Sequence, residues 1–140
     1  MFTYHRKAYY HETDQMGLIH HSNYLKWMEE ARIGLMEEAG MSYREMEKTG
    51  IVSPVVEITV EYKRPVAFDD DVEIRISIEK YTGAVLEVSY EIDNVTAGVL
   101  SAKARSKHCF LREGRPTSLK RALPEVDERI REMMDRERYH

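Results

Sequence analysis

Apolar side chains recur at three- and four-residue spacing at Tyr24, Met28, Ala31, Leu35 and Ala39, which predicts one long helix with a single buried face. Ser22 and Asn23 are the residue types that cap helix starts, and Gly40 stands where a left-handed glycine would close the last turn. The run Ser42-Tyr43-Arg44-Glu45 is a capping box, flanked by Met41 and Met46 as a hydrophobic staple, so a short second helix should run on to Gly50. Beyond it the period falls from 3.6 to 2. Val56, Ile58, Val60 and Tyr62 alternate with polar residues, as do Val72, Ile74, Ile76 and Ile78, and then Leu86, Val88, Tyr90 and Ile92. Strict alternation predicts strands with one buried face in an antiparallel sheet. Pro65 with Asp69-Asp70-Asp71, then Thr82-Gly83, then Asp93-Asn94 with Gly98 supply the turns between them.

The chain opens on a strand expected over Phe2 to His11, rich in Tyr, Phe and Thr. A last strand is expected over Val99 to Leu111, with small Ala102, Ala104 and Ser106 on one face and Lys103, Arg105 and Lys107 on the other. Small inner residues would let a helix lie close, and mid-helix Gly34 reads as the matching concession. After Pro124 a narrow stripe of Val126, Ile130, Met133 and Met134 marks a C-terminal helix whose end beyond Asp135 is expected to fray. The expected fold is α+β: a five-stranded antiparallel sheet around one long helix. Residues 1–140 read as one domain, with 122–140 a helical extension.

Composition narrows the function classes. With 42% hydrophobic and 33% charged residues and no long apolar run, nothing predicts a membrane span, and the N-terminus lacks the apolar segment of a secretory signal. Cys109 is the single cysteine, so neither an internal disulfide nor a cysteine zinc site can form. These features point to the cytoplasm. A formal net charge of −4 argues against a nucleic-acid binder.

Candidate chemistry gathers just before the long helix. Asp14 lies in a glycine-containing loop beside Met16, Gly17, Leu18 and Ile19. A carboxylate there can simply form a turn, or it can act as nucleophile or general base, because a helix N-terminus offers backbone N–H groups to a developing negative charge. Glu12 reads as an exposed or helix-facing charge. His20 and His21, with His11 and Asp14, invite a metal reading, but their spacing matches no established ligand pattern, so no metal is expected. The basic residues Lys63, Arg64, Lys103, Arg105 and Lys107 form either a solvated sheet face or, if clustered, a site for a phosphate-bearing substrate.

The run Tyr10-His11-Glu12-Thr13-Asp14-Gln15-Met16-Gly17, followed by His20-His21-Ser22-Asn23-Tyr24 and Ala31-Arg32, resembles the hotdog-fold acyl-CoA thioesterases. It is most similar to the 4-hydroxybenzoyl-CoA thioesterase group and its Tol–Pal-associated branch. Tyr62-Lys63-Arg64-Pro65 with Phe68-Asp69-Asp70, and later Arg115-Pro116, look like further family segments, so the resemblance covers roughly residues 2–119. It implies hydrolysis of an acyl-CoA to a carboxylic acid and CoA. Asp14 would be nucleophile or general base, the Tyr24 backbone N–H the oxyanion donor, Tyr10 and His21 assisting groups, and Gly17, Lys63 and Arg64 substrate contacts. No separate cofactor is implied, since CoA arrives with the substrate. A homodimer, pairing into a tetramer, is implied as well. Two departures stand out: the first acidic position, commonly Asp, is Glu12, and no Arg/Lys-rich phosphate turn surrounds Tyr81-Thr82-Gly83. Two rival readings are a non-catalytic acyl-thioester-binding hotdog protein and a hotdog dehydratase acting on hydroxyacyl thioesters.

Overall fold

In the computed structural model, which describes residues 2–138, the elements in chain order are β1 (Phe2–Lys7), α1 (Ser22–Glu38), α2 (Tyr43–Thr49), β2 (Ile51–Val52), β3 (Val55–Tyr62), β4 (Asp71–Tyr81), β5 (Val85–Asn94), β6 (Val99–Cys109), β7 (Leu111–Arg112), β8 (Arg115–Pro116), α3 (Leu119–Ala122) and α4 (Pro124–Arg138). The main sheet is antiparallel, in the order β1-β4-β5-β6-β3, and β2, β7 and β8 form a small second sheet. Helix α1 lies across the inner face of the main sheet, which is the expected hotdog architecture.

The periodicities translate directly into packing. On α1, Tyr24, Trp27, Met28, Ala31, Leu35 and Met36 are buried against Val72, Ile74, Ile76 and Ile78 of β4 and Leu86, Val88, Tyr90 and Ile92 of β5. Each large apolar side chain fully removed from water contributes about 1.5–3 kcal/mol. Gly40, at φ 88°, ends the helix, with the Met41 N–H reaching back to Met36 O at 2.9 Å. Ser42 Oγ accepts the Glu45 N–H at 3.2 Å and Gly50 closes α2 at φ 73°; the Glu45 side chain makes no return bond to the Ser42 N–H, so half of the expected capping box forms.

Several expectations are corrected. β1 stops at Lys7, and Tyr10–Glu12 form a 3-10 turn instead, because the Glu12 carboxylate folds back to accept the Tyr9 N–H at 2.9 Å. Gly34 makes room for the Phe2 ring of β1, whose nearest carbon would lie 2.7 Å from an added Cβ, and not for the small residues of β6. The final strand breaks after Cys109, and Leu111–Arg112 leave for the second sheet. The inner face of β3 is only partly covered by its own chain: Val60 packs against the core, while Val55, Ile58 and Tyr62 are 51%, 40% and 50% exposed, a bulge at Val56 having moved the row to Val55. Helix α4 runs on past Asp135 to Arg138, and Glu137 Oε2 accepts the Ile78 N–H of β4 at 2.9 Å, beyond the point where β1 ends its pairing at Phe2↔Ile76. Val126, Ile130, Met133 and Met134 are buried against the body of the protein.

Candidate active site

The loop from Thr13 to Ile19 is closed by its own backbone. Thr13 bridges Ile19, Leu18 bridges Ala67, and the Asp14 N–H donates to Leu18 O at 2.7 Å. Gly17, at φ 77°, makes the turn. Asp14 is exposed in the protomer. Its Oδ1 accepts the Met16 and Leu18 N–H groups at 2.8 and 3.2 Å, and its Oδ2 has no hydrogen-bond partner among the described residues. One carboxylate oxygen thus shapes the loop and fixes the direction of the other. Tyr10 is exposed and meets the Phe68 ring edge-on at 5.7 Å, on the same patch as the loop.

A buried ionic cluster holds this loop against α1. Glu12, 5% exposed, receives Trp27 Nε1 at 2.8 Å and Arg6 at 2.7 Å. The Arg6 guanidinium also binds Glu30 and lies between the Tyr9 and Trp27 rings, 5.2 and 4.8 Å from their centroids. Asn23 Nδ2 donates to Glu12 O at 2.9 Å and ties the helix start to the loop. Glu12 is therefore helix-facing, and the longer arm of glutamate is what reaches Trp27.

The helix start differs from the simple capping expected. His21 occupies the cap position in helical geometry without a side-chain bond, and Ser22 is already helical. His20 Nδ1 serves as the local acceptor, 3.2 Å from the Ser22 N–H and 2.8 Å from its Oγ. The Tyr24 N–H donates to His21 O at 3.2 Å, a carbonyl that also receives Tyr62 OH at 3.2 Å. The exposed His21 ring lies 4.2 Å from the His20 ring and meets Tyr62 edge-on at 6.1 Å. The Tyr24 side chain is buried, with its hydroxyl 3.2 Å from Ser101 Oγ, and burial pushes its pKa up, keeping it neutral. Ser101 Oγ in turn donates to Arg64 O at 2.5 Å.

Two patches thus meet at the start of α1: Tyr10, Asp14, Gly17 and Phe68 on one side, His21, Tyr24, Tyr62 and the Lys63–Arg64 turn on the other. Lys63 pairs with Glu61 at 3.3 Å and both it and Arg64 are exposed. The basic row of β6 does not gather into a phosphate site. Lys103 stands between Glu61 and Glu91 across the strands, and Lys107 between Glu57 and Glu87, so opposite charges neutralise that face. Sequence reading named Trp27 as a possible pocket-lining residue and Phe68 in a family-like segment but missed Arg6 and Ser101 as supports of the site, since their partners Glu12, Glu30, Tyr24 and Arg64 lie on other elements.

A family model described as the thioesterase-like superfamily matches residues 10–132, which carries the likeness past residue 119 and into α4. The chain is 42% identical over 118 residues to a protein named "Putative acyl-CoA thioesterase YneP" from Bacillus subtilis, covering 83% of this chain and 85% of that one. It is 28% identical over 101 residues to the acyl-CoA thioester hydrolase YbgC of Escherichia coli O157:H7, covering 72% and 75%. Among solved structures, a DHNA-CoA thioesterase from Staphylococcus aureus superposes with a TM-score of 0.92 at 31% identity, covering 99% of this chain and 93% of that one. The fold, the loop before α1 and these likenesses agree: the chain belongs to the thioesterase-like superfamily, as an acyl-CoA thioesterase.

Proposed function

We propose that Asp14 carries the hydrolysis of the thioester at the start of α1. The observation that supports it is the division of labour within one carboxylate, Oδ1 held by two loop amides and Oδ2 left to the solvent side. Oδ2 either attacks the thioester carbonyl or takes the proton of the attacking water. In both routes the carbonyl oxygen gains a negative charge, the C–S bond breaks, and the CoA thiolate leaves and is protonated; in the nucleophilic route the acyl group stays on Asp14 as a mixed anhydride, which water then cleaves to the free acid and the restored carboxylate. The Tyr24 N–H, held only by a long bond to His21 O, shares itself with that oxyanion as a three-centre donor. His21 and Tyr10, both exposed beside the loop, position the substrate, and Gly17 with the Lys63–Arg64 turn forms its rim.

The working unit in this reading is a homodimer built on β3, with the tetramer as a pairing of dimers. An eight-residue edge strand with a partly uncovered apolar inner face needs a partner, and Asp14, exposed in the protomer, then becomes enclosed at the interface.

Asp14→Asn tests the assignment. The amide oxygen can keep both loop bonds, so folding should be retained, while kcat falls at least about a hundredfold because an amide is neither nucleophile nor useful base. Asp14→Glu should lose on the order of a hundredfold through about 1 Å of misplacement. Folded Asp14→Asn protein with near-native kcat would hand the site to the histidines.

A further inference from the structure

Helix α1 and β3 run side by side in opposite directions. Tyr62 meets His21 at the helix start, and Pro54 comes beside Arg32 and Ile33 about three turns later. There a cavity of ≈ 470 Å³ opens between α1, α2 and the β2–β3 connection. That is a common size for a small-molecule site, about 300–1,000 Å³. Its walls include Ile33, Met46, Ile51 and Val52. Ser53 adds no polar surface to them, because its Oγ is shielded from water. Two exposed carboxylates, Glu29 and Glu47, border the cavity, and Glu29 Oε1 lies 4.0 Å from the Arg32 guanidinium and balances it. Such a lining suits methylene groups and disfavours an anionic tail.

Within one chain the cavity is closed off from Asp14. Tyr24 and Tyr62 meet edge-on at 5.1 Å, Tyr62 OH holds His21 O, and Val60 behind them packs against the core. These side chains stand between the helix start and the cavity. The free edge of β3 is open instead, with Val55 exposed at one end and Tyr62 at the other. In an isologous dimer two copies of β3 pair antiparallel about a two-fold axis. Placing that axis between Ile58 and Thr59 pairs all eight residues of the strand. Val55 of the partner subunit then lies opposite Tyr62, one strand spacing of about 4.8 Å away. The partner's cavity, which begins next to that residue, opens beside this chain's helix start.

We propose that the cavity of one protomer receives the acyl tail of the thioester held at the Asp14 site of the other, and that the substrate class is an acyl-CoA with an aliphatic chain. The inference rests on the thioesterase and dimer readings above. Each site is then incomplete in a single chain: one protomer supplies Asp14 and the helix start, and its partner supplies the apolar walls. Every methylene seated there raises kcat/KM about three- to fourfold.

The test measures thiol released from butanoyl-, decanoyl- and benzoyl-CoA. For the wild type, kcat/KM for decanoyl-CoA should exceed that for butanoyl-CoA by about a hundredfold or more. Ile33→Trp, which fills the cavity, should bring this ratio down towards one. Val52→Trp, at an exposed position on the same wall, replaces it if that variant does not fold. The decisive sample is a mixed dimer, purified through two different tags, of one Asp14→Asn chain and one Ile33→Trp chain. Its single intact Asp14 lies on the chain with the filled cavity and faces the open cavity of the Asp14→Asn chain. A wild-type ratio in the mixed dimer is the expected result. The ratio of the Ile33→Trp homodimer would overturn the proposal, as would a wild-type ratio near one or a preference for benzoyl-CoA, and each of these leaves the thioesterase standing. Absence of thiol release from all three substrates would instead remove the hydrolysis. Calorimetry with the thioethers decyl-CoA and butyl-CoA then decides the cavity separately: tighter binding of decyl-CoA keeps it, and equal affinities remove it.

Discussion

Trp27 Nε1 and Glu12 Oε2 share a buried hydrogen bond of 2.8 Å, which joins the long helix to the loop that carries Asp14. Because Arg6 depends on Glu12 and Glu30 for its charge, Glu12→Ala should destabilise the protein by about 3 kcal/mol, the lower end for breaking a buried ion pair. Arg6→Met combined with Glu12→Gln should recover much of that loss, as removal of both charges does. Urea denaturation of the single and double variants measures this. A double variant as unstable as the sum of its parts would show that Arg6 and Glu12 act independently.

Ile58→Lys should separate the subunits. The side chain sits on the inner face of β3 and is 40% exposed in the protomer, so the substitution is tolerated within one chain but places a cation at the proposed interface. Sedimentation velocity should show a folded monomer with activity lost. A monomer that remains fully active at micromolar concentration would sink the dimeric active site.

His108 should make the fold acid-sensitive. Burial first, and the neighbouring Arg32 charge second, push its pKa from 6.5 down to about 4, while Pro54 pulls weakly the other way. The unfolded chain therefore binds a proton that the folded one refuses between those two values, and stability is lost as pH falls from 6.5 to about 4. The size of the effect is about 3 kcal/mol. Denaturant midpoints taken at pH steps across this window should fall steeply for the native chain and more gently for His108→Gln. Parallel slopes would place the acid sensitivity elsewhere.

Ile130→Ala should cost about 2–5 kcal/mol, as truncation of a fully buried aliphatic side chain does, and leave kcat in the folded fraction unchanged. Ile130 is 2% exposed, and Asp127 on the same helix receives Tyr81 OH at 2.5 Å. Burial and this bond push the Tyr81 pKa up. Thermal melting and initial rates on the same samples decide it. A loss of kcat would mean that α4 reaches the site.

Legibility in the sequence followed the range of the forces. Helix α1, its Gly40 stop, the Ser42 cap of α2 and the alternation of β4, β5 and β6 rest on neighbours a few residues apart, and the structure repeats them. The Tyr10–Glu12 turn was not legible, because what bends it is a carboxylate engaged by Arg6 and Trp27 from separate elements. Alternation on β3 promised a buried face, but period alone cannot say which chain buries it. His108 continues the inner row of Ala102, Ala104 and Ser106 at the same two-residue step, so its burial was available to the pattern; its chemistry was not, since Arg32 and Pro54 arrive from far along the chain. The Asp14 loop identified the superfamily, while the branch within it is not legible in these motifs.

Helix α4 and its Glu137 contact with Ile78 leave the two borders of the sheet unequal. On one side β1 is short and carries His5, Arg6 and Lys7, and the stretch of β4 beyond it is capped by a side chain from α4. On the other, β3 offers eight residues of backbone and an apolar face. A ribbon grows only from units that can be joined at both borders. If two chains join along β3 as proposed, the β1 border of the described residues offers no matching edge to a third, and growth by sheet extension would end at two copies.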